Sequence, residues 1–253
     1  MAEPPDPGLA VVPGHPLAHL RSLTQARIAL GRAGQALPTA ALLDFQLAHA
    51  RARDAVAARL ESDGFSAAIG GRAVIEVASR AGDPATYLQR PDLGRCLADG
   101  DAARLMPTDN DVALIVGDGL SATAVHAHAA PLLLALFERL PGWRIAPVVL
   151  ARHARVALGD AIGAALGVDL AVMLIGERPG LSAPDSLGAY LTWQPRTGRR
   201  DSERNCVSNI RPPHGLGYDA AADTIVALLT AARRLRVTGV ALKDGAISLP
   251  PAP

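Results

Sequence analysis

From residue 111 onward the chain alternates continuous apolar runs with amphipathic stretches. DVALIVG (111–117), RIAPVVLA (144–151), DLAVMLIG (169–176) and AYLTWQ (189–194) are short, largely apolar runs of the kind that form strands buried on both faces. Between them, Ser121 is placed to cap a helix reaching Leu140, and Gly142 ends it. A second helix, Ala157 to Leu166, is stopped by Gly167, and the alanine-rich residues 219 to 236 form a closing helix. This alternation predicts an α/β fold with a largely parallel, doubly wound sheet over residues 101–253.

The first hundred residues read differently. Residues 1–18 are proline-rich without periodicity and are expected to be mobile. Residues 19–100 predict an N-terminal helical extension with some mixed structure. It has a short helix around Leu20 to Leu30, then a longer one capped by Thr39 with Leu42, Phe45, Leu47 and Val56 as its apolar face. Arg51, Arg53, Asp54 and Arg59 supply its polar face. A strand, Ala73 to Ser79, a loop through Gly82-Asp83-Pro84 and a helix-like stretch from Pro91 to Leu97 follow.

Composition narrows the function classes. A formal net charge of +1 and 3% aromatic residues argue against a nucleic-acid partner, which would require clustered basic charge or stacking platforms. The longest apolar stretch, Ala129 to Phe137, is interrupted by Pro131 and falls far short of the ~20 residues that span a bilayer. Charged residues are only 19%, a figure that either a partner-covered surface or an alanine-rich composition produces. Cys96 and Cys206 stand far apart and in no metal-ligand spacing, so neither a disulfide framework nor a zinc site is expected. The acidic, proline-rich N-terminus lacks the pattern of a signal peptide. Together these features predict a reduced, intracellular protein with no metal site of its own.

Three segments carry unusual chemistry at the expected carboxyl ends of the strands, where open α/β sheets bind ligands. DGLS (118–121) is either an ordinary strand-to-helix turn or part of a binding loop. GERPG (176–180) is a stiff, glycine-flanked turn from which Glu177 would point its carboxylate at the crevice, unless it pairs with Arg178 or another arginine. RNCVSNI (204–210) offers short polar groups around Cys206, which would be a buried filler or a soft contact to a flat ligand. Gly159, Gly163 and Gly167 share one helix face, for close packing on the sheet or against a planar ligand. His126 and His128 diverge on a helix, and no dinucleotide, phosphate-loop, zinc-protease or nucleophile-elbow motif is present. No self-contained catalytic set is expected.

LTQARIALGRAG (23–34), LLDFQLAHARARDAV (42–56), YLQRPDLGR (87–95), DGLSA (118–122), RVALGDAIG (155–163), LIGERPGL (174–181) and RNCVSNI follow one another in an order and spacing that resembles the ethanolamine ammonia-lyase small-subunit family. The resemblance runs from about residue 20 to the final helix. It implies a subunit of a carbon–nitrogen lyase that converts ethanolamine to acetaldehyde and ammonia with adenosylcobalamin, by a radical mechanism. It further implies a Rossmann-like cobalamin-binding domain, an extension docking on a large TIM-barrel subunit that holds the substrate, and a higher hetero-oligomer. The family's cobalamin contacts fall here on Val156, Glu177 and Cys206, and no catalytic residue falls on this chain. No DxHxxG motif is present, as expected where the cofactor keeps its own base on cobalt. Some relatives begin with a helix that directs them into a bacterial microcompartment. Pro4, Pro5, Pro7, Pro13 and Pro16 preclude such a helix here, so the free cytosol is an equal expectation. A cobalamin carrier without a catalytic partner is the alternative.

Overall fold

In a computed structural model of the chain, residues 16–107 and 109–243 are described. The stretch expected to be mobile lies outside them as far as residue 15. From Pro16 the chain enters a single 3-10 turn, Ala18–Ser22, rather than the expected helix to Leu30. The Thr24 hydroxyl accepts a hydrogen bond from the Ala26 N–H (3.1 Å), a local bond that competes with helix continuation.

Helix α1 (Thr39–Ala57) forms, but not as its pattern predicts. Thr39 makes no cap. The Pro38 carbonyl takes the Leu42 N–H at 3.0 Å, so the helix begins one residue earlier. Its buried seam is Ala41, Ala48 and Ala55, seven residues apart, while Leu42, Phe45, Leu47 and Val56 face outward. Small side chains permit the close approach to the body, and the expected apolar face is left uncovered. Helix α2 (Phe65–Ala68) and strand β1 (Val74–Ala78) follow. The Gly82-Asp83-Pro84 segment, expected as a loop, opens helix α3 (Pro84–Gln89). The Asp83 carboxylate accepts from the N–H groups of Ala85 and Thr86, and Pro84 sits in the first turn. Only one 3-10 turn, Leu93–Arg95, forms in the expected helix-like stretch beyond Pro91.

The remaining elements are β2 (Val112–Gly117), α4 (Ala122–Arg139), β3 (Val148–Arg152), α5 (Leu158–Leu166), β4 (Leu170–Gly176), β5 (Leu187–Trp193), β6 (Asn205–Ile210), α6 (Tyr218–Leu235) and α7 (Val240–Lys243). β3 starts later than its apolar run because Pro147 has no N–H for the ladder. The sheet order is β1-β3-β2-β4-β5-β6. The β1–β3, β3–β2 and β2–β4 pairings are parallel, whereas β4–β5 and β5–β6 are antiparallel. The fold is therefore α/β with a mixed, mostly parallel sheet. The segment at 204–210, read as a ligand loop beyond the strand tips, is instead the edge strand β6. Its burial alternates, with Asn205 and Val207 buried and Cys206 and Ser208 exposed, and that period of two is a strand signal hidden by its polarity.

Alternation along β2 and β4 divides the core between two faces. Val112, Leu114, Leu170, Val172 and Leu174 pack with α4 and α6, whereas Ala113, Ile115, Ala171 and Met173 pack beneath α5. Because β3 and β4 flank β2, the chain leaves β2 in one direction and returns on its other side as β4. The carboxyl ends of β2 and β4 thus adjoin at a topological switch point, where a crevice opens.

Candidate functional site

The floor of the crevice is a close crossing of two turns. Gly119, at φ +60°, donates no side chain to a space in which a Cβ would lie 2.1 Å from the Gly176 carbonyl oxygen. A Cβ on Gly176 would lie 2.1 Å from the Ser121 carbonyl oxygen, and the Leu120 N–H donates to the Gly176 carbonyl at 3.0 Å. Asp118 does not face the crevice. Its buried carboxylate accepts from the N–H groups of His153 (2.7 Å), Ala154 (2.8 Å) and Gly119 (2.9 Å) and so ties the β3–α5 loop to the end of β2. Burial raises its pKa, and the Ala154 and His153 bonds oppose that rise. Ser121 caps α4 through the Ala124 N–H, and its hydroxyl donates to the Pro184 carbonyl (2.8 Å). DGLS is thus a serine-capped strand-to-helix turn joined to the β4–β5 loop, and its Gly119 and Leu120 also line the cleft.

Glu177 leaves β4 at the rim and lies over β5 and β6 in a cradle built by three features. Gly188 on β5 lacks the Cβ that would sit 2.8 Å from Glu177 Oε1. The β5–β6 register runs Leu187↔Ile210 and Ala189↔Val207, so β6 bulges by one residue at Ser208 and Asn209. Asn209 takes the left-handed conformation (φ 59°), which asparagine tolerates. Glycine clears the space and the bulge turns its donors inward. Ser186 and Ser208 donate their hydroxyls to Oε2 and Oε1, each at 2.5 Å, and the Asn209 N–H reaches Oε2 at 3.3 Å. Among the described residues Glu177 makes no ion pair, so the pairing with Arg178 is not observed.

Val156 and Glu177 line one cleft of about 410 Å³, together with Tyr87, Arg155, Arg178 and Tyr190. Val156 stands on the turn before α5, half-buried against the core beneath that helix. Arg155 lays its guanidinium over the Tyr87 ring (4.3 Å) and donates to the Tyr87 carbonyl (3.2 Å), while the Tyr87 hydroxyl donates to the Ala154 carbonyl. Cys206 does not line the cleft but is paired across the ladder with Tyr190, which does. Cys206 is exposed, which excludes the buried-filler reading. Burial raises the Tyr190 pKa, and its contact with Cys206 and the nearby Glu177 carboxylate add to the rise, so the phenol stays protonated. Burial likewise raises that of Tyr87, opposed by Arg155. The lining therefore combines a carboxylate acceptor from Glu177, guanidinium donors from Arg155 and Arg178 and the apolar methyl pair of Val156.

The helix glycines serve packing. A Cβ on Gly159 would meet Met173 at 3.1 Å, and one on Gly163 would meet Pro195 at 2.6 Å, so this face lies on the sheet and not against a ligand. His126 Nε2 accepts from the Glu61 N–H, whereas His128 is buried on the Tyr218 hydroxyl (2.9 Å). No group of three His, Cys, Asp or Glu side chains among the described residues could hold a metal ion. Sequence reasoning missed Tyr87, Arg155, Ser186, Gly188 and Tyr190. Arg155 and Tyr87 had a local signal, each as the first residue of a family-like motif, RVALGDAIG and YLQRPDLGR.

A larger hollow of about 430 Å³ on α1, beside Phe45 and Arg53, is formed by one helix surface and has none of this strand-end chemistry.

Comparison with known proteins gives one consistent result. The family described as "Ethanolamine ammonia-lyase light chain (EutC)" matches residues 14–243. The chain is 55% identical over 241 residues to the ethanolamine ammonia-lyase small subunit of Bradyrhizobium diazoefficiens, covering 92% of each. It is 49% identical to that of Ralstonia nicotianae (97% and 94% covered) and 50% identical to that of Rhodococcus erythropolis (89% and 88%).

Proposed function

The chain belongs to the ethanolamine ammonia-lyase light-chain family, and from that premise we propose that it is the small subunit of a heteromeric lyase, gripping one side of adenosylcobalamin at the crevice. The single observation that carries this reading is the cradled Glu177 at the strand-end cleft, facing the same space as Val156.

The residues fit the group. A corrin is flat and ringed with primary amides, which both donate and accept. Glu177 would accept an amide N–H, Arg178 and the remaining N–H groups of Arg155 would donate to amide carbonyls, and Val156 would offer an apolar contact to the ring, all from the lining of one cleft. The Tyr190–Cys206 pair continues this surface along β5 and β6, on the face that α5 leaves open. A cleft of about 410 Å³ takes only part of so large a ligand. The remainder is held by a larger partner, a TIM-barrel subunit that also binds ethanolamine. When bound, the cofactor supplies homolytic cleavage of its cobalt–carbon bond, and the protein contributes placement and electrostatics.

The same assignment accounts for α1. Its outward leucines and phenylalanine, beside Arg51 and Arg53, form a surface suited to docking on that partner. In this reading the Rossmann-like region and the extension are the cofactor-binding and docking parts of one subunit. No helix among the described residues is long and apolar enough to cross a membrane.

The test is reconstitution. The purified chain alone should show no deamination of ethanolamine, and addition of the large subunit with adenosylcobalamin should produce it. Glu177→Ala should weaken corrin binding by the complex about tenfold, the worth of one hydrogen bond to a charged group, with assembly intact. Activity of the isolated chain, or unchanged corrin affinity in the variant, refutes the assignment.

A further inference from the structure

A carboxylate presents about four acceptor positions on its two oxygens. In Glu177, the Ser186 hydroxyl and the Asn209 N–H occupy Oε2, and the Ser208 hydroxyl occupies one position on Oε1. Beneath Oε1 lies Gly188, which brings no side chain. The serines have spent their protons on Glu177 and cannot turn to a ligand without releasing it. Of the carboxylate's own acceptor positions, one on Oε1 is therefore left for a ligand, and the bonds at the other three hold the group in place.

We propose that Glu177 reads the amidation of the corrin rim: it takes an N–H of one neutral side-chain amide and rejects the same side chain as a free acid. Ser186, Ser208 and the bulge of β6 are positioning elements for that discrimination. The proposal rests on the cobalamin reading above and adds a ligand specificity to it. An amide turned toward Oε1 gains a charge-assisted hydrogen bond, whereas a carboxylate there meets a like charge at contact distance. Arg155, which also lines the cleft, is held over the Tyr87 ring by stacking and by its bond to the Tyr87 carbonyl, so it is not free to swing onto a carboxylate at Oε1. Arg178 is exposed, so its charge is screened by solvent.

The experiment uses the complex of this chain with its large subunit at pH 7. Binding of cyanocobalamin is compared with binding of its separate monocarboxylic acids, each with one side-chain amide hydrolysed, by the absorbance change of the bound corrin. At least one acid should bind about tenfold or more weakly than the parent, the lost charge-assisted bond alone amounting to that factor. Glu177→Gln should bring that ratio to within about threefold, because a neutral amide tolerates either group. Ser208→Ala and Gly188→Ala, the latter through its 2.8 Å contact with Oε1, should lower the ratio, and Ser208→Thr should preserve it. A purely structural role for these positions would change affinity for parent and acid alike and leave the ratio untouched. Equal affinity for the parent and every acid in the unaltered complex overturns the proposal, as does a full ratio retained in Glu177→Gln. Absence of corrin binding by the unaltered complex overturns the cobalamin reading instead.

Discussion

Replacing Gly119 by alanine isolates the contact on which the crevice floor depends. Two costs add. The first is conformational: φ is +60°, and an L side chain there costs about 1–2 kcal/mol. The second is steric. The new Cβ would lie 2.1 Å from the Gly176 carbonyl oxygen and 2.6 Å from Ile175 Cγ1, and the nearer atom is backbone that cannot swing aside. Forcing the two turns apart strains the packing by about 1–3 kcal/mol. It also breaks the 3.0 Å bond from the Leu120 N–H to Gly176, worth about 1 kcal/mol. Gly142→Ala supplies the control, since Gly142 has φ +79° but nothing within 4 Å of its Cβ position. It incurs the conformational cost alone. The difference between the variants is thus about 2–4 kcal/mol, which in a domain of this size separates their melting temperatures by roughly 5–15 °C. Thermal unfolding followed by circular dichroism measures it. If the two variants melt within one degree of each other, the crossing of the turns is not a rigid contact and the argument for a preformed crevice fails.

Two further outcomes follow from buried charges. Asp160 and Arg204 form an ion pair at 3% and 2% side-chain exposure, which pins α5 to β6. Asp160→Ala should destabilise the chain by about 3 kcal/mol, the low end for breaking such a pair, because Asp201 and the Arg199 carbonyl still accept from Arg204. A melting temperature within two degrees of the parent's would refute this. At His128, burial lowers the pKa below its ordinary 6.5; the attraction of Asp185 opposes that shift, and the repulsion of Arg211 adds to it. The unfolded histidine therefore binds its proton first as pH falls. Its contribution to stability is complete above pH 6.5 and is lost as pH drops through the lower folded value. Denaturant titrations from about one unit above an ordinary histidine to about one and a half units below it should show a shallower acid loss in His128→Gln, and an unchanged slope would exclude His128 as its source.

Where information in the chain is local or continuous, the sequence was sufficient. The apolar runs at 111–117 and 169–176 became central strands because strands buried on both faces need nothing but continuous apolar side chains. Ser121 and Gly167 marked helix ends because a cap and a left-handed stop each act within a few residues. GERPG was legible for the same reason, as a glycine-bounded turn at a strand end. The orientation of the sheet beyond β4 was not legible. Parallel and antiparallel neighbours of a buried strand have the same composition, and only packing against α6 and the edge decided it. On α1 periodicity misled, because tertiary contact selected the alanine seam over the larger leucines. Most of all, the surroundings of Glu177 lay beyond sequence reasoning. Ser186 is nine residues away and Ser208 thirty-one, and both reach the carboxylate only through the register and bulge of β5 and β6. Register is a property of how strands pack together, and a one-residue slip of β6 would turn Ser208 to the opposite face.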